Sequence, residues 1–176
     1  MRIKLSIIAS ITLIVLSCQL KATTGGENWP EEESERWLLE EDFDGDGQVD
    51  VLLSQPITDF GNAGGGFKLY LRKKNELIEA GMIFAHPKAI AIEHHWKQTR
   101  IWVYQRGGGG VGMLGYYELF DGKLTEFKGI EVNPGDGGTD LSNSLVSMIF
   151  DSSNAVSPKL ITSSGDIAAL PKNHNQ

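Results

Sequence analysis

One short stretch, EEDFDGDGQVDVLL at residues 40–53, constrains the fold of this chain more than any other. Its four aspartates have the spacing D-x-D-x-D-G-x-x-D and are Asp42, Asp44, Asp46 and Asp50. Carboxylates packed this closely repel one another unless a cation neutralises them. The residues that follow, 49–53, are β-branched and apolar around Asp50, which is typical of a strand. The sequence therefore predicts an acidic, cation-binding loop that leads into a β-strand.

Calcium is the cation that this spacing favours. Ca²⁺ takes about six to eight oxygen ligands, and short acidic loops supply them from alternate positions, with a glycine at the sharp turn. The aspartates occupy loop positions one, three, five and nine, Gly47 stands at position six, and Gln48 offers its backbone carbonyl at position seven. Magnesium is less favoured because it requires strict octahedral geometry and keeps its waters. The alternative is a solvated acidic turn that binds no metal.

The end of the motif departs from an EF-hand, whose loop closes with a bidentate glutamate at position twelve. Here position twelve is Leu53, inside the predicted strand. The stretch 42–52, followed by Phe60-Gly61 and the glycines at 64–66, instead resembles the calcium loops of FG-GAP and VCBS repeats, the integrin-like propeller family. The resemblance covers residues 37–71. It implies that Asp42, Asp44, Asp46 and Asp50 are the ligands. The missing acid at Leu53 disfavours a sensor and fits a constitutive extracellular clamp.

The N-terminus has the features of an export signal. Arg2 and Lys4 precede an apolar run at 5–16 that is too short to span a bilayer comfortably, so we interpret 1–17 as a signal peptide. Val15-Leu16-Ser17-Cys18 resembles the lipobox of bacterial lipoproteins, which implies that Cys18 is lipidated and becomes the mature N-terminus. The alternative is an ordinary signal peptide with an incidental cysteine. Both place the protein outside the cytoplasm, either membrane-anchored in the bacterial cell envelope or secreted.

The composition of the chain after the signal peptide limits the kinds of partner that the protein can bind. Residues 18–35 are polar, with Gly, Pro and several Glu, and are expected to form a flexible tether. Loss of 1–17 would change the formal net charge from −7 to −9 by removing Arg2 and Lys4. So acidic a protein repels nucleic acid and favours cations. With Cys18 as the only cysteine, no disulfide can reinforce the fold.

Strand signals dominate the domain that we expect over 36–168. Two successive blocks have the same order of strands, Gly-rich loop and tight turns, and 66–71 aligns loosely with 115–120. This predicts two degenerate repeats of about 47–49 residues. Each repeat is expected to form a four-stranded blade-like unit. The predicted strands are 36–41, 49–55, 67–73 and 77–84 in the first block, and 89–95, 100–106, 116–120 and 123–132 in the second.

The expected fold class is therefore mainly β, with two four-stranded antiparallel meanders packed as a sandwich or as one bent sheet. One short C-terminal helix is predicted at 140–150, where Asp140 can cap apolar residues at helical spacing. A strand at 146–150 is the alternative. Residues 169–176 are expected to form a disordered tail.

Three other groups of residues are candidates for function. The G-x-G-x-x-G at 110–115 precedes a strand and not a helix, so we interpret it as a flexible hairpin loop and not as a dinucleotide site. The loop at 134–140 is expected to be a turn with a helix cap, and a second metal or ligand site at Asp136 and Asp140 is the alternative. Adjacent His94 and His95 would point to opposite faces of a strand, which disfavours a shared metal.

Three functional hypotheses follow. The first is a non-catalytic, exported calcium-binding protein in which Ca²⁺ stabilises a β-hairpin loop, with a binding or adhesion role toward a protein or glycan and none toward nucleic acid. The second is an EF-hand-like calcium sensor or buffer. The third is an envelope hydrolase with a site around His94, His95 and Asp136. No nucleophile-and-base motif supports the third.

Overall fold

The computed structural model describes residues 34–96, 98–134, 139–152 and 154–162. The expected signal peptide 1–17 and the tail 169–176 lie outside these ranges, as does all but the end of the tether 18–35. Cys18 and Asp136 also lie outside them. No helix in the described ranges is both long enough and apolar enough to cross a membrane.

More than half of the described residues lie in strands. The first eight strands are β1 Arg36–Glu41, β2 Asp50–Pro56, β3 Gly65–Lys73, β4 Glu76–Ala85, β5 Ile90–His95, β6 Gln98–Arg106, β7 Gly112–Phe120 and β8 Lys123–Leu124. They are followed by β9 Lys128–Val132, a helix α1 Asp140–Phe150, and the short strands β10 Ala155–Val156 and β11 Lys159–Ile161. Short 3₁₀ turns occupy Ile57–Asp59 and Gly108–Gly110.

The strands form two antiparallel sheets. The order is β11-β1-β2-β3-β4 in the first sheet and β10-β5-β6-β7-β8 in the second, where β9 also pairs with β7. Strands β1 to β4 are successive neighbours in the first sheet and β5 to β8 in the second. Some of the connections are tight turns, such as Asp121-Gly122 between β7 and β8, with φ values of 50° and 73°. The prediction of a mainly β fold with antiparallel sheets and one helix is confirmed.

One cluster of buried side chains joins the two sheets. Phe67 and Leu69 of β3 and Ile83 of β4 contribute from the first sheet, and Ile101 and Val103 of β6 contribute from the second. Alternate residues along each strand enter this cluster, as the period-two pattern of the sequence requires. The loop residue Phe43 also belongs to it and is fully buried. The acidic loop between β1 and β2 is therefore attached to the core.

The C-terminal segment pairs with both sheets. β10 pairs with β5 at the edge of the second sheet, and β11 pairs with β1 at the edge of the first. The sequence patterns described above predict no strand at 155–156. A two-residue strand has too few residues to produce an alternating pattern, so β10 was missed. Both pieces cover strand edges that would otherwise present unpaired backbone groups.

The predicted strand 123–132 is wrong, since it is interrupted at residues 125–127. The chain bulges there, and the ring of Phe127 packs against Tyr117 with their centroids 5.3 Å apart. The hairpin loop predicted at 110–115 is also too long, because β7 already begins at Gly112. A Cβ at Gly115 would lie 2.3 Å from the carbonyl oxygen of Lys128. This glycine therefore permits close pairing of β7 with β9 and is not a loop residue.

The helix cap also differs from its prediction. Thr139, and not Asp140, is the N-cap residue of α1, and its hydroxyl accepts a hydrogen bond of 3.1 Å from the backbone N–H of Ser142. A threonine with extended backbone is a good N-cap, and Asp140 is then the first residue of the helix.

Substitution of Gly65 by alanine should destabilise the fold through a steric clash. A Cβ at this position would lie 2.5 Å from the ring of Phe60, which packs edge-to-face on Phe67 at 5.6 Å. We expect Gly65→Ala to lower the free energy of unfolding by roughly 1–3 kcal/mol in urea denaturation. Gly61→Ala in the same loop is the control, since its Cβ would meet nothing within 4 Å. Equal stability of the two variants would contradict this packing.

Candidate metal centre

The acidic loop is the connection between β1 and β2. Glu41 and Asp50 face each other as the last strand pair, and residues 42–49 form the loop that joins them. Gly45 and Gly47 have φ values of 74° and 86°, a conformation that glycine adopts without the steric cost of a side chain. The positive φ of Gly47, at loop position six, is therefore the reason that a glycine is needed there.

Asp42 organises the turn from its first position. Its Oδ1 accepts hydrogen bonds from the backbone N–H groups of Gly45 at 2.8 Å and Asp46 at 3.1 Å, and its Oδ2 accepts from Gly47 at 2.9 Å. These contacts wrap the backbone around one carboxylate. Oδ1 uses both of its lone pairs in these contacts, whereas Oδ2 keeps one that can bind a cation.

Asp50 is the buried end of the site. Its side chain has no exposed surface, and its Oδ2 accepts from the backbone N–H of Phe43 at 2.8 Å and, more weakly, of Asp44 at 3.4 Å. Its Oδ1 accepts from the backbone N–H of Arg72 at 2.7 Å. One carboxylate therefore ties the start of the loop to the end of β3.

The burial of Asp50 has an electrostatic cost. Desolvation raises the pKa of its carboxyl from 3.8 to about 6, although the N–H groups of Arg72 and Phe43 oppose the shift, and the negative charge of Asp44 adds to it. A raised pKa means that the fold stabilises the ionised form less well than water does. A cation beside this carboxylate would supply the missing stabilisation.

The structure brings three of the four predicted aspartates together. Asp42, Asp44 and Asp50 each have a carboxylate oxygen within 4.8 Å of the others, which is the spacing that a shared metal ion needs. Asp46 lies outside this group. Its Oδ1 and Oδ2 accept from the backbone N–H and the side-chain amide of Gln48, at 2.9 and 3.0 Å, and the backbone contact lowers the pKa of Asp46. The role of the Gln48 carbonyl as a ligand stays a prediction.

A lysine from β3 supplies a positive charge at the site. The ammonium of Lys73 forms ion pairs with Asp44 and, at 3.2 Å, with Asp46. These hydrogen bonds raise the pKa of Lys73, so the ammonium is charged at neutral pH. A cation bound by Asp44 would compete with it. The sequence analysis missed this residue because Lys73 is 29 positions from Asp44, and only the pairing of β2 with β3 brings it close.

The other predicted site residues are not assembled into one site. His94 and His95 have separate partners, since Nδ1 of His94 contacts the Thr99 hydroxyl at 3.1 Å and Nε2 of His95 contacts Glu93 at 3.0 Å. Asp140 is the first residue of α1, and Asp136 lies outside the described residues. The second acidic site and the hydrolase hypothesis therefore stay predictions.

A second polar region, on the second sheet, was largely missed from the sequence. The rings of Trp102 and Tyr116 pack at a tilt of 59° with their centroids 4.7 Å apart, and the guanidinium of Arg100 lies 5.0 Å from the Tyr116 ring centroid. Glu118 pairs with Arg100 at 3.4 Å and with Lys128 at 2.6 Å. The only sequence signal was the occurrence of Trp102 and Tyr116 near the Gly-rich loop, because the charged partners come from three different strands.

No protein-family model, no curated protein and no solved structure matches this chain. The resemblance of the acidic loop to FG-GAP and VCBS repeats therefore stays a prediction.

Replacement of Asp50 by alanine should destabilise the protein even when no calcium is present. The change removes the acceptors of two backbone N–H groups, those of Phe43 and Arg72, the first of which is buried. We expect the free energy of unfolding in EGTA to fall by about 2–4 kcal/mol, measured by urea denaturation. Asp46→Ala is the control, because this side chain is exposed and should change stability by less than about 1 kcal/mol. If both variants unfold at the same urea concentration, Asp50 has no structural role.

The Glu118 ion pairs should give a pH-dependent contribution to stability. Hydrogen bonding to Lys128, together with Arg100, lowers the pKa of Glu118 below 4.5, so its contribution exists above that pH and is lost as the carboxylate is protonated in acid. Glu118→Gln should be less stable than the wild type at pH 7, by less than about 1 kcal/mol. The difference should shrink toward pH 3 in urea titrations. A difference that stays constant over this range would rule out the ion pairs as its cause.

Proposed function

We propose that this chain is an exported, non-catalytic β-domain that binds Ca²⁺ in the loop from Asp42 to Asp50. The ion stabilises the connection between β1 and β2, and through Asp50 it also fixes the end of β3. The protein is anchored to the membrane of a bacterial cell envelope through a lipid on Cys18. There it acts as a binding or adhesion module for a protein or glycan.

The grouping of Asp42, Asp44 and Asp50 is the observation that carries this proposal. Three carboxylates with oxygens within 4.8 Å of one another repel unless positive charge lies among them. Backbone hydrogen bonds already hold Asp42 and Asp50 in place, so the ion would meet two preoriented ligands and little ordering entropy would oppose binding. Oxygen ligands of this kind suit a hard cation such as Ca²⁺.

A constitutive clamp fits the surroundings of the loop better than a sensor does. Leu53, at the position of the EF-hand glutamate, lies within β2 opposite Leu38 and Lys68 and is nearly buried. A sensor converts ion binding into reorientation of helices, and this loop is flanked by two strands. Calcium is abundant outside the cell, so even millimolar affinity suffices for a clamp.

We also propose that the domain derives from two blade-like units. Each sheet contains a run of consecutive antiparallel strands, and the Gly-rich stretches 61–66 and 107–115 occupy equivalent places before β3 and in or before β7. The shared buried cluster favours packing of the two units as a sandwich over one bent sheet.

Calcium titration of the protein by isothermal calorimetry tests the proposed function. We expect one Ca²⁺ to bind per chain, and we expect Ca²⁺ to raise the thermal midpoint relative to EGTA because it binds only the folded loop. Asp44→Asn should abolish both effects, whereas Asp59→Asn, an exposed aspartate outside the loop, should leave them unchanged. An unchanged midpoint with no heat of binding in the wild type would refute the proposal.

Removal of the Lys73 charge should increase the affinity for calcium. The ion must displace the ammonium from Asp44 or tolerate its repulsion, at a cost of about 1 kcal/mol near the surface. We therefore expect Lys73→Met to tighten Ca²⁺ binding by about fivefold in the same calorimetric titration. Lys74→Met, at the adjacent position in the hairpin, is the matched control. An affinity equal to that of the control would show that Lys73 does not compete with the ion.

A further inference from the structure

A cavity of about 350 Å³ lies between α1 and the second sheet. Ile90 and Ile92 point into the shared core, so Ala91 and Glu93 face the other side of β5, where this cavity is. The cavity is separate from the acidic loop, which connects two strands of the first sheet, and shares no residue with it. It is lined by Ala91, Glu93, Trp102, Leu114, Ile130, Leu145, Met148, Ile149, Ser152 and Asn154.

The size and the lining of this cavity suit a small hydrophobic molecule. Its volume falls within the range of about 300–1,000 Å³ that is typical of ligand pockets, and such pockets are mainly apolar with a few polar groups. Side chains from α1 form one wall, and those of β6 and β7 form the floor. Met148 and Ile130 at its border are 67% and 56% exposed, although both are large and apolar. A hydrophobic ligand would cover surface that is costly to leave in water.

Glu93 is the one charged side chain in this lining, so it determines which polar group a ligand can place there. Its Oε2 accepts from the indole N–H of Trp102 at 2.9 Å, its Oε1 contacts His95 Nε2 at 3.0 Å, and the nearest Arg100 nitrogen is 4.0 Å away. The Trp102 hydrogen bond is the main cause of a lowered pKa of Glu93, which is therefore ionised at neutral pH. A carboxylate keeps further lone pairs after these contacts, so it can accept another hydrogen bond.

We propose that this cavity binds a small hydrophobic amine, with its alkyl or aryl body between α1 and the sheet and its ammonium group against Glu93. The carboxylate attracts the ammonium and accepts a charge-assisted hydrogen bond from it. A ligand that ends in a carboxylate would meet Glu93 as a like charge, which is unfavourable. The cavity therefore selects amines over fatty acids of the same length.

Displacement of a fluorescent probe tests this proposal on the full chain. N-phenyl-1-naphthylamine, a neutral hydrophobic dye, reports occupancy, and decylamine, decanol and decanoate compete with it below their micelle concentrations. The titrations are done in EGTA, so that they do not depend on calcium binding. We expect decylamine to displace the dye at a concentration at least about tenfold lower than decanoate, with decanol between them.

Variants show whether the displacement occurs in this cavity. Leu145→Trp places a large ring in the cavity and should abolish dye binding, whereas Leu141→Trp on an exposed part of the same helix should not. Glu93→Gln keeps a polar side chain of the same shape and should reduce the tenfold preference for the amine to less than about twofold. Circular dichroism checks that each variant is folded.

Each outcome decides the proposal. Equal dye binding by the wild type and the Leu145→Trp variant would place the dye elsewhere and overturn the site. Displacement by decanol or decanoate at concentrations as low as those of decylamine would overturn the assignment of an amine. A preference that survives in Glu93→Gln would overturn the role of the carboxylate.

Discussion

The fully buried carboxylate of Asp50 is the interaction on which the arrangement of the acidic loop depends. It accepts hydrogen bonds from Phe43 in the loop and from Arg72 at the end of β3, so it holds a turn and a strand in fixed relation. A buried ionised group is tolerated only with such partners. The same burial leaves its charge incompletely compensated, as its raised pKa shows. A structural contact and an incompletely compensated charge therefore arise at one carboxylate group.

The rest of the fold supports this arrangement. The pairing of Val51 with Tyr70 and of Leu52 with Leu69 sets the register that places Arg72 beside Asp50 and brings Lys73 to the loop. A shift of one residue would turn the apolar side chains of β2 and β3 away from the core, so burial enforces the register. Phe43 anchors the loop from the other side by entering the same core. The geometry of the loop is thus a consequence of the hydrophobic core.

The sequence predicted the local parts of this structure and not those that depend on distant residues. Periodicity and turn chemistry are local properties of the sequence. They predict the mainly β fold class, most strand positions and the glycines of the acidic loop. The approach of Lys73 to Asp44 and Asp46 depends on the pairing of β2 with β3, and Asp46 lies apart from the other carboxylates, where it contacts both Gln48 and Lys73. The break at 125–127 and the cavity under α1 arise from packing between elements that are distant in the chain. Neither feature has a local pattern.

Hydrogen exchange of individual backbone amides, measured by NMR with Ca²⁺ and with EGTA, tests the central claim most directly. If Asp50 holds the loop and calcium completes it, the amides of Phe43 and Arg72 are protected in both conditions. The amides of Gly45 and Gly47 then become more protected when Ca²⁺ is added, because the ion fixes Asp42, which accepts their hydrogen bonds. Exchange at Gly45 and Gly47 that is the same in both conditions would contradict the account.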